Sequence, residues 1–492
     1  MRSLFVALLS AVASLAACGA PGAPPTAESS TPPPISALDV SSQAPNLPSV
    51  LVPDIPHVLQ KPDFCGEAVT EMWLRSKGVS VDQNAVFNLS GMDPARGMGA
   101  TTRELKQALT QLGFDTGPVW LTARASNAKD DLNSLFRDLH ADLTAGVPSI
   151  VCTHYDERPN TTEHFRLVLG YDGATDEVIY NDPAVPGGAY LRMSRTRFLS
   201  LWPLQYDPAS LTVIRLRLDG APKNQSNSQV AGFAPADYAQ HVLALKPQLR
   251  PEYTVVIEPP FVVVGDESPD RVKKRAETTV RWAVQKLKQD FFKKDPSKIL
   301  TIWLFGTKGS YDRHVRLNYD REPSTPYGFF SAEHASLVMN ISTGGGTLVH
   351  EIVHPFVAAN LPDCPAWLNE GLGSLFEQSD ERNGHIIGNT NWRLAGLQRA
   401  IQKKVVPSFH TLTHTTINEF YEEDPGSNYA QSRYLLYYLQ EHGLLLKFWN
   451  QYLQDRNSDP SGYTSLLNVL GEKDLTAFQK KWEAEVLTLT FP

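Results

Sequence analysis

The residue types best suited to chemistry stand in one short stretch of the chain. His350 and His354 are four residues apart, and Glu351 lies between them. Residues at this spacing share one face of a helix, so both imidazoles can reach one metal ion. Glu370 follows after a short turn, in a second helical segment with little bulk around it. Two histidines and one carboxylate leave a coordination position open, which is typical of catalytic rather than structural zinc.

The sequences His-Glu-Ile-Val-His and Trp-Leu-Asn-Glu-Gly of this stretch together resemble the gluzincin metallopeptidases. The resemblance implies that His350, His354 and Glu370 hold zinc and that Glu351 is the general base. Zinc would polarise the scissile carbonyl and lower the pKa of a bound water, whose proton Glu351 would pass to the leaving amine.

Tyr429 is a candidate for a further role at the same site. It begins a predicted helix that resembles the gluzincin segment presenting a tyrosine hydroxyl to the developing oxyanion. Because this helix contains four tyrosines, an ordinary core position for Tyr429 is the alternative.

A second set of reactive residue types lies earlier in the chain. Cys65 opens a segment with apolar residues at helical spacing, so its thiol stands at an electropositive helix N-terminus that favours thiolate. His164 and Asp182 flank turn residues centred on Gly173, and a hairpin centred there sets them directly opposite each other. The three side chains would form a nucleophile, a base and an orienting carboxylate. Taken singly, Cys65 is as well explained as a small core residue, and His164 as a satisfied strand histidine.

The order of these residues, with Gln60 before them, resembles the papain-like peptidases of the bacteriocin-leader (double-glycine) group. The resemblance implies Cys65 as nucleophile, His164 as base, Asp182 as orienter and Gln60 as an oxyanion donor. Transglutaminase-like proteins and cell-wall hydrolases share the cysteine, histidine and aspartate order. Acyl transfer therefore stays open beside peptide hydrolysis.

The N-terminus has the features of an exported lipoprotein. Residues 1–17 carry one charge and a short apolar run, which indicates a signal peptide. The sequence Leu-Ala-Ala-Cys that ends at Cys18 resembles a bacterial lipobox and implies lipidation of Cys18; a chance cysteine after an ordinary signal peptide is the alternative. Residues 18–50 are rich in Pro, Ala and Ser and should form a disordered tether. The expected location is the bacterial cell envelope, at the outer membrane or the outer face of the cell membrane.

Length and composition bound the rest of the chain. The sequence has 492 residues and a formal net charge of −8, so there is no electrostatic case for nucleic acid. The remainder is too long for one core. We predict an α+β chain of two domains, a papain-like one at 51–218 and a gluzincin-type one at 234–492 with a mostly helical C-terminal part, joined by a linker at 219–233.

The predicted function is peptide-bond hydrolysis with zinc as cofactor and a peptide or protein as substrate. A binding protein is the alternative, either because the first domain only captures peptides for the zinc site or because both domains bind without catalysis. Partner proteins are not indicated by the sequence.

Overall fold

The structure is a computed structural model that describes residues 47–159, 161–223, 232–423 and 425–491. It divides into two compact units, Met1–Lys246 and Pro247–Pro492. The predicted signal peptide, Cys18 and nearly all of the predicted tether lie outside the described residues. No helix among the described residues combines the length and the apolar character needed to cross a membrane.

The first unit is a mixed α+β structure. Its strands are β1 Val50–Leu51, β2 Trp120–Arg124, β3 Ser149–His154, β4 Glu163–Asp172, β5 Glu177–Asn181, β6 Leu191–Ser194, β7 Leu204–Asp207 and β8 Ser210–Arg217. Its helices are α1 Cys65–Ser76, α2 Gln83–Ser90, α3 Thr102–Leu112, α4 Ala128–Thr144, α5 Arg195–Leu201 and α6 Pro235–Leu245.

The sheet of this unit is antiparallel and buried on both faces. Its strand order is β2-β8-β3-β4-β5-β6, with β1 on β4 and β7 on β8. Successive residues of a strand point to opposite faces. Ile150 and Cys152 therefore join the core under α1 and α3, while Val151 joins the core under α4 and α5. The sheet thus lies between two layers of helices. In one of them α1, whose first residue is Cys65, packs against β4.

Strands β4 and β5 form the predicted hairpin with a different register. Leu167 pairs with Asn181, and the ladder shifts at a β-bulge further along β4. Asp182, the next residue, therefore lies opposite Arg166 rather than His164. The predicted direct opposition is wrong because the turn at 173–176 is centred between Ala174 and Thr175 rather than on Gly173, and the bulge recovers only one residue of this offset. His164 and Asp182 remain on one face as diagonal neighbours, which is still within side-chain reach.

Helix α6 belongs to a different unit from the one predicted. The sequence analysis placed it in the second domain, after the linker at 219–233. In the structure, Ala236 and Ala239 of α6 join an apolar cluster with Phe64, Phe87 and Met92 of the first unit. The division between the units falls after Lys246, because α6 buries its apolar face on the first unit.

The second unit combines a sheet with many helices. Its strands are β9 Thr254–Glu258, β10 Phe261–Gly265, β11 Leu300–Phe305, β12 Gly328–Ser331, β13 Ser336–Asn340, β14 Ser379–Arg382 and β15 His385–Gly388. Its helices are α7 Pro269–Arg275, α8 Trp282–Asp290, α9 Lys308–Tyr319, α10 Gly346–Asn360, α11 Ala366–Leu375, α12 Leu394–Gln402, α13 Phe409–Thr413, α14 Ile417–Glu422, α15 Pro425–Glu441, α16 Leu445–Asp455, α17 Tyr463–Leu470 and α18 Leu475–Val486. A π-helical segment, Ala276–Arg281, joins α7 to α8.

The five-stranded sheet of the second unit has the order β12-β13-β11-β10-β9. Its three central strands are parallel, and both edge strands run antiparallel to their neighbours. One face packs against α8 and α10 in the main core. Helix α10 continues through Pro355 to Asn360, and α11 follows after a five-residue connection.

Candidate active sites

Helices α10 and α11 bring the three predicted zinc ligands together. One donor atom from each of His350, His354 and Glu370 lies within 4.8 Å of the others. His350 Nε2 is 3.2 Å from Glu370 Oε2, and His354 Nε2 is 3.9 Å from the same oxygen. A Cβ on Gly373 would stand 3.1 Å from the His350 ring, so a residue without one lets the helices approach this closely. Two imidazoles and a carboxylate are a donor set that zinc accepts.

A polar side chain lies beside the other ring nitrogen of each histidine. His354 Nδ1 lies 3.0 Å from Asn369 Oδ1, and His350 Nδ1 lies 3.1 Å from Glu377 Oε1. Arg393 donates to both oxygens of Glu377, at 2.9 and 2.6 Å. Such partners fix the orientation of a metal-binding imidazole. Both Nε2 atoms are therefore directed to one point. The sequence analysis missed Asn369, Glu377 and Arg393; only the first lies within a motif it quoted.

Glu370 is a buried carboxylate with one oxygen engaged. Tyr421 Oη donates a hydrogen bond of 2.5 Å to Glu370 Oε1. Within the described residues, Oε2 receives no hydrogen bond. A buried carboxylate oxygen without a partner is unfavourable, and a cation placed between it and the two imidazoles would satisfy it. The residues present therefore fit a zinc ion.

The charges around His350 also favour a cation. Burial alone would lower the pKa of His350, but Glu370 and Glu377 outweigh it and raise that pKa well above its usual value. Burial likewise raises the pKa of Glu370, yet the charge of His354 and the contact with His350 hold it at about 2. The carboxylates are thus ionised at neutral pH and give the site a negative potential.

Glu351 and two tyrosines border the same point. Glu351 is buried, and its Oε2 lies 4.0 Å from His354 Nε2. The Tyr429 ring stacks on His350 with centroids 6.5 Å apart. Burial, with the charge of Glu370, raises the phenol pKa of both Tyr421 and Tyr429, so both hydroxyls stay protonated and can donate hydrogen bonds. The sequence analysis missed Tyr421, whose hydroxyl hydrogen-bonds Glu370 directly.

In the first unit, His164 and Asp182 are in contact. His164 Nε2 is 2.8 Å from Asp182 Oδ1, and both side chains are almost fully buried. Arg166 Nε donates to Asp182 Oδ2 at 2.9 Å and its guanidinium also bonds Thr153 Oγ1 and the carbonyl of Tyr155. Arg166 therefore anchors the carboxylate that orients His164. The sequence analysis missed it, although its position opposite Asp182 follows from the true register.

This arrangement keeps the histidine neutral and the aspartate charged. Burial lowers the pKa of His164. The charge of Arg166 also lowers this pKa, whereas Asp182 raises it. Burial raises the pKa of Asp182, but the hydrogen bond from His164 and the charges of His164 and Arg166 bring it down to about 2. A neutral imidazole with Nε2 on a carboxylate leaves Nδ1 as the nitrogen available to take a proton.

Cys65 stands at the first position of α1, beside the strand that carries His164. Its sulfur interacts with the backbone of Phe165, and the Phe165 ring packs so close to Gly66 that a Cβ there would stand 3.0 Å away. Cys65 is 3% exposed. Burial raises the pKa of its thiol far above the usual value. This direction is opposite to the predicted bias toward thiolate, because burial removes the water that would stabilise a charged sulfur.

Two buried acids near Cys65 act in the same direction. Asp63 and Glu67 lie two residues to either side of it, and both raise the pKa of the thiol. Burial raises the pKa of Glu67 to about 8 while its Oε1 accepts from Ala100 N at 2.7 Å. The sequence analysis missed both residues, since charged side chains at a helix start normally face solvent.

Gln60 is tied to the loop that carries the aspartate. Its backbone N–H donates to Pro183 O at 2.9 Å. The structure thus sets the predicted oxyanion donor next to the Asp182–Pro183 segment. Its side-chain Oε1 is buried and accepts no hydrogen bond in the described part of the chain.

Comparison with known proteins bears on the first unit. Residues 52–209 match the profile of the Peptidase_C39 like family. This match supports the predicted resemblance to papain-like cysteine peptidases for this part of the chain, and it ends before the second unit. No protein of curated function matches the chain.

One similar solved structure is the peptidase domain of Streptococcus ComA, a bi-functional ABC transporter involved in a quorum sensing pathway. It is 23% identical, and the alignment covers 33% of this chain and 98% of that chain with a TM-score of 0.23. A similarity with so low a TM-score says nothing about the activity of this chain.

Proposed function

We propose that this chain is a peptidase with two separate sites, a zinc-dependent one in the second unit and a cysteine one in the first. The observation that carries the zinc site is the convergence of His350, His354 and Glu370 to within 4.8 Å, with another side chain beside the distal nitrogen of each imidazole. A structural zinc site would close its coordination shell with a fourth protein ligand, and these three donors leave a place for substrate.

The residues of the second unit have complementary tasks in hydrolysis. Zinc, when bound, supplies a Lewis acid that polarises a carbonyl and makes a coordinated water more acidic. Glu351 takes a proton from the attacking water and delivers it to the amine nitrogen as the C–N bond breaks. Tyr429 carries a phenol that stays protonated, so it can donate to the carbonyl oxygen as it gains negative charge, whereas the Tyr421 proton is already donated to Glu370.

Cleavage of a peptide library by the purified protein tests this site. We expect cleavage that a chelator abolishes and that added zinc restores. A matched pair of variants separates base from ligand: Glu351→Gln should keep the metal and lose turnover, whereas His354→Ala should lose the metal. Chelator-sensitive cleavage that survives in Glu351→Gln would refute the assignment.

The cysteine site in the first unit is supported by the family match and by the His164–Asp182 pair. Cys65 would attack the scissile carbonyl and form a thioester as the C–N bond breaks. His164 would carry the thiol proton to the leaving amine. Water would then release the acid, and another nucleophile in place of water would give acyl transfer.

A peptide-capture role for the first unit is the second candidate. It is favoured by the 3% exposure of Cys65 and by the raised pKa of its thiol, since a protonated buried thiol is a weak nucleophile. Under this alternative, Cys65→Ala leaves turnover at the zinc site unchanged, while removal of residues 51–246 raises its KM. Loss of a chelator-resistant activity in Cys65→Ala would instead support a second enzyme.

We also propose that the chain is lipid-anchored in the bacterial cell envelope through Cys18. The support is the apolar run in residues 1–17 and the Leu-Ala-Ala-Cys sequence that follows. Membrane fractionation of Cys18→Ser tests it. Release of the variant to the soluble fraction is the expected result, and full retention on membranes would disprove anchoring at Cys18.

A further inference from the structure

The second unit contains a cavity of about 250 Å³ that shares no lining residue with the zinc site. It lies between helix α9 and the chain segment that precedes β9. The polar side chains in its wall are those of Gln248, Arg250, Tyr253, Ser310, Arg313, His314 and Asn318. Carboxylate side chains are absent from the described lining, so the wall offers mainly hydrogen-bond donors and positive charge.

His314 is the most informative of these residues. It is 4% exposed, and its ring lies between aromatic neighbours, with centroids 4.3 Å from Trp303 and 4.8 Å from Phe305. Its Nε2 is buried and has no hydrogen-bond partner among the described residues. This is the kind of polar atom that folded proteins normally satisfy.

Neighbouring contacts determine which ring nitrogen of His314 carries the proton. Asn318 Nδ2 donates to the carbonyl of His314 at 3.0 Å, which fixes the orientation of the amide. The same Nδ2 lies 3.2 Å from His314 Nδ1, so Nδ1 accepts. Burial lowers the pKa of His314 to about 4, and a neutral imidazole with an accepting Nδ1 carries its proton on Nε2. The unsatisfied atom is thus a donor that needs an acceptor.

Two arginines complete the donor set. Arg250 and Arg313 line the same cavity, and in the described ranges neither forms an ion pair with a carboxylate. Tyr253 lies near both arginines and also feels the charges of Asp266 and Glu252. Asp266 Oδ1 accepts a hydrogen bond from Gly306 N at 2.6 Å, and among the described residues Asp266 forms no ion pair with either arginine.

We propose that this cavity is a binding site for a small oxyanion, in the form of a carboxylate or a phosphate group. An oxyanion accepts several hydrogen bonds at once and pairs with guanidinium groups in a planar, bidentate manner. Its oxygens would accept from the two arginines and from the Tyr253 or Ser310 hydroxyl. The volume admits a small ligand rather than a folded partner.

Calorimetric titration of the full chain tests the proposal at constant ionic strength. Inorganic phosphate and acetate are titrated separately, and sodium chloride is the non-binding reference. Arg250→Gln and Arg313→Gln should each weaken binding at least about tenfold. Arg316→Gln is the matched control, because Arg316 is on the same helix but pairs with Glu322 at 2.9 Å outside the cavity.

The outcomes separate the sources of the oxyanion. Saturable binding of phosphate that both arginine variants lose indicates a phosphoryl ligand, and the same pattern with acetate indicates a carboxylate. Two results would overturn the site: no heat above the chloride reference for either anion, or binding in the cavity variants equal to that in Arg316→Gln. Neither result bears on the peptidase sites, whose residues are untouched.

Discussion

Each candidate active site places a carboxylate beside a histidine, but the two carboxylates lie beside opposite ring nitrogens. Asp182 engages Nε2 of His164 at 2.8 Å, whereas Glu377 lies 3.1 Å from Nδ1 of His350. In the first case Nδ1 is left for proton transfer. In the second case Nε2 is left for a metal. The nitrogen that the carboxylate holds therefore decides what the same side chain can do.

The surrounding charges reinforce this difference. Arg166 compensates Asp182, so burial prevails and the pKa of His164 falls. Around His350, Glu370 and Glu377 outweigh burial, and the pKa of His350 rises. His164 has one carboxylate and one arginine acting on it, which suits an uncharged base. His350 has Glu351, Glu370 and Glu377 acting on it, which suits a cation. The charges beside each histidine, rather than burial, distinguish the two.

The largest effect should come from replacing Glu351, the carboxylate that is a proposed base and not a proposed metal ligand. Glu351→Gln should lower chelator-sensitive hydrolysis by about 10²–10⁴-fold, because a general base contributes that much. Its zinc content, measured by metal analysis, should stay at one ion per chain. His354→Ala should lose most of the zinc. Full zinc content in His354→Ala would show that the metal binds elsewhere.

The compensation of Asp182 by Arg166 can be broken directly. Arg166→Gln should destabilise the protein by about 3–5 kcal/mol, since it leaves a buried carboxylate without its cation. Urea unfolding measures the loss. Arg192→Gln is the control: its side chain is 47% exposed and pairs with Asp172 and Glu177 at the surface, so the change should stay within about 1 kcal/mol. Equal effects of the two substitutions would argue against a special role for Arg166.

The contact between Glu377 and His350 can be tested through metal affinity. Glu377→Gln removes the negative charge beside His350 Nδ1. Zinc binding should weaken by about 10–100-fold, the usual effect of losing a side chain that orients a metal-binding histidine. Competition with a chelator of known affinity gives the measurement. Glu381→Gln alters a 44%-exposed carboxylate in the neighbouring hairpin and should leave affinity unchanged. Unchanged affinity in Glu377→Gln would mean that the imidazole is oriented by packing alone.

The acid stability of the first unit should depend on Asp182. Its pKa in the folded protein is about 2, below the ordinary value of 3.8. The stabilisation is therefore complete above about pH 4 and is lost as the pH falls toward 2, and it amounts to about 2 kcal/mol. Unfolding of wild type and Asp182→Asn, compared across this range, should show a difference that shrinks with acidification. A difference independent of pH would contradict this.

The smallest expected effect concerns the thiol. Because burial raises the pKa of Cys65, its alkylation at neutral pH should be no faster than that of Cys152, which is also buried. The rate should then rise about tenfold per pH unit with the thiolate fraction. Mass spectrometry of labelled peptides distinguishes the two cysteines. A fast rate that levels off near neutrality would mean that His164 holds Cys65 as an ion pair.

Local spacing was enough to locate both sites but not to complete them. The four-residue spacing of His350 and His354 places both on α10, and turn residues around Gly173 predict the β4–β5 hairpin. Such signals lie within a few residues of one another and reflect helix and turn geometry directly. Zinc itself, the lipid anchor and the peptidase activity of the second unit remain predictions.

What the sequence could not provide depends on contacts between distant segments. The bulge in β4 stands where β1 pairs with that strand, and it shifts Asp182 to lie opposite Arg166. Arg393 reaches Glu377 across the β14–β15 hairpin that separates them in the chain, and the neighbouring helices α11 and α12 both pack against α15. The burial of Cys65 likewise comes from packing against Phe165, which a helix-terminus argument does not include. Tertiary packing, not local propensity, set each of these outcomes.

The docking of α6 has a consequence for how the first unit behaves when it is separated from the rest. The family match ends at residue 209, yet the apolar cluster around Phe64, Phe87 and Met92 is covered by α6, more than twenty residues later. A fragment cut at the end of the match would present that cluster to water, next to the segment that carries Cys65. Exposed contiguous apolar surface promotes self-association. The smallest soluble piece of this unit should therefore extend through Leu245.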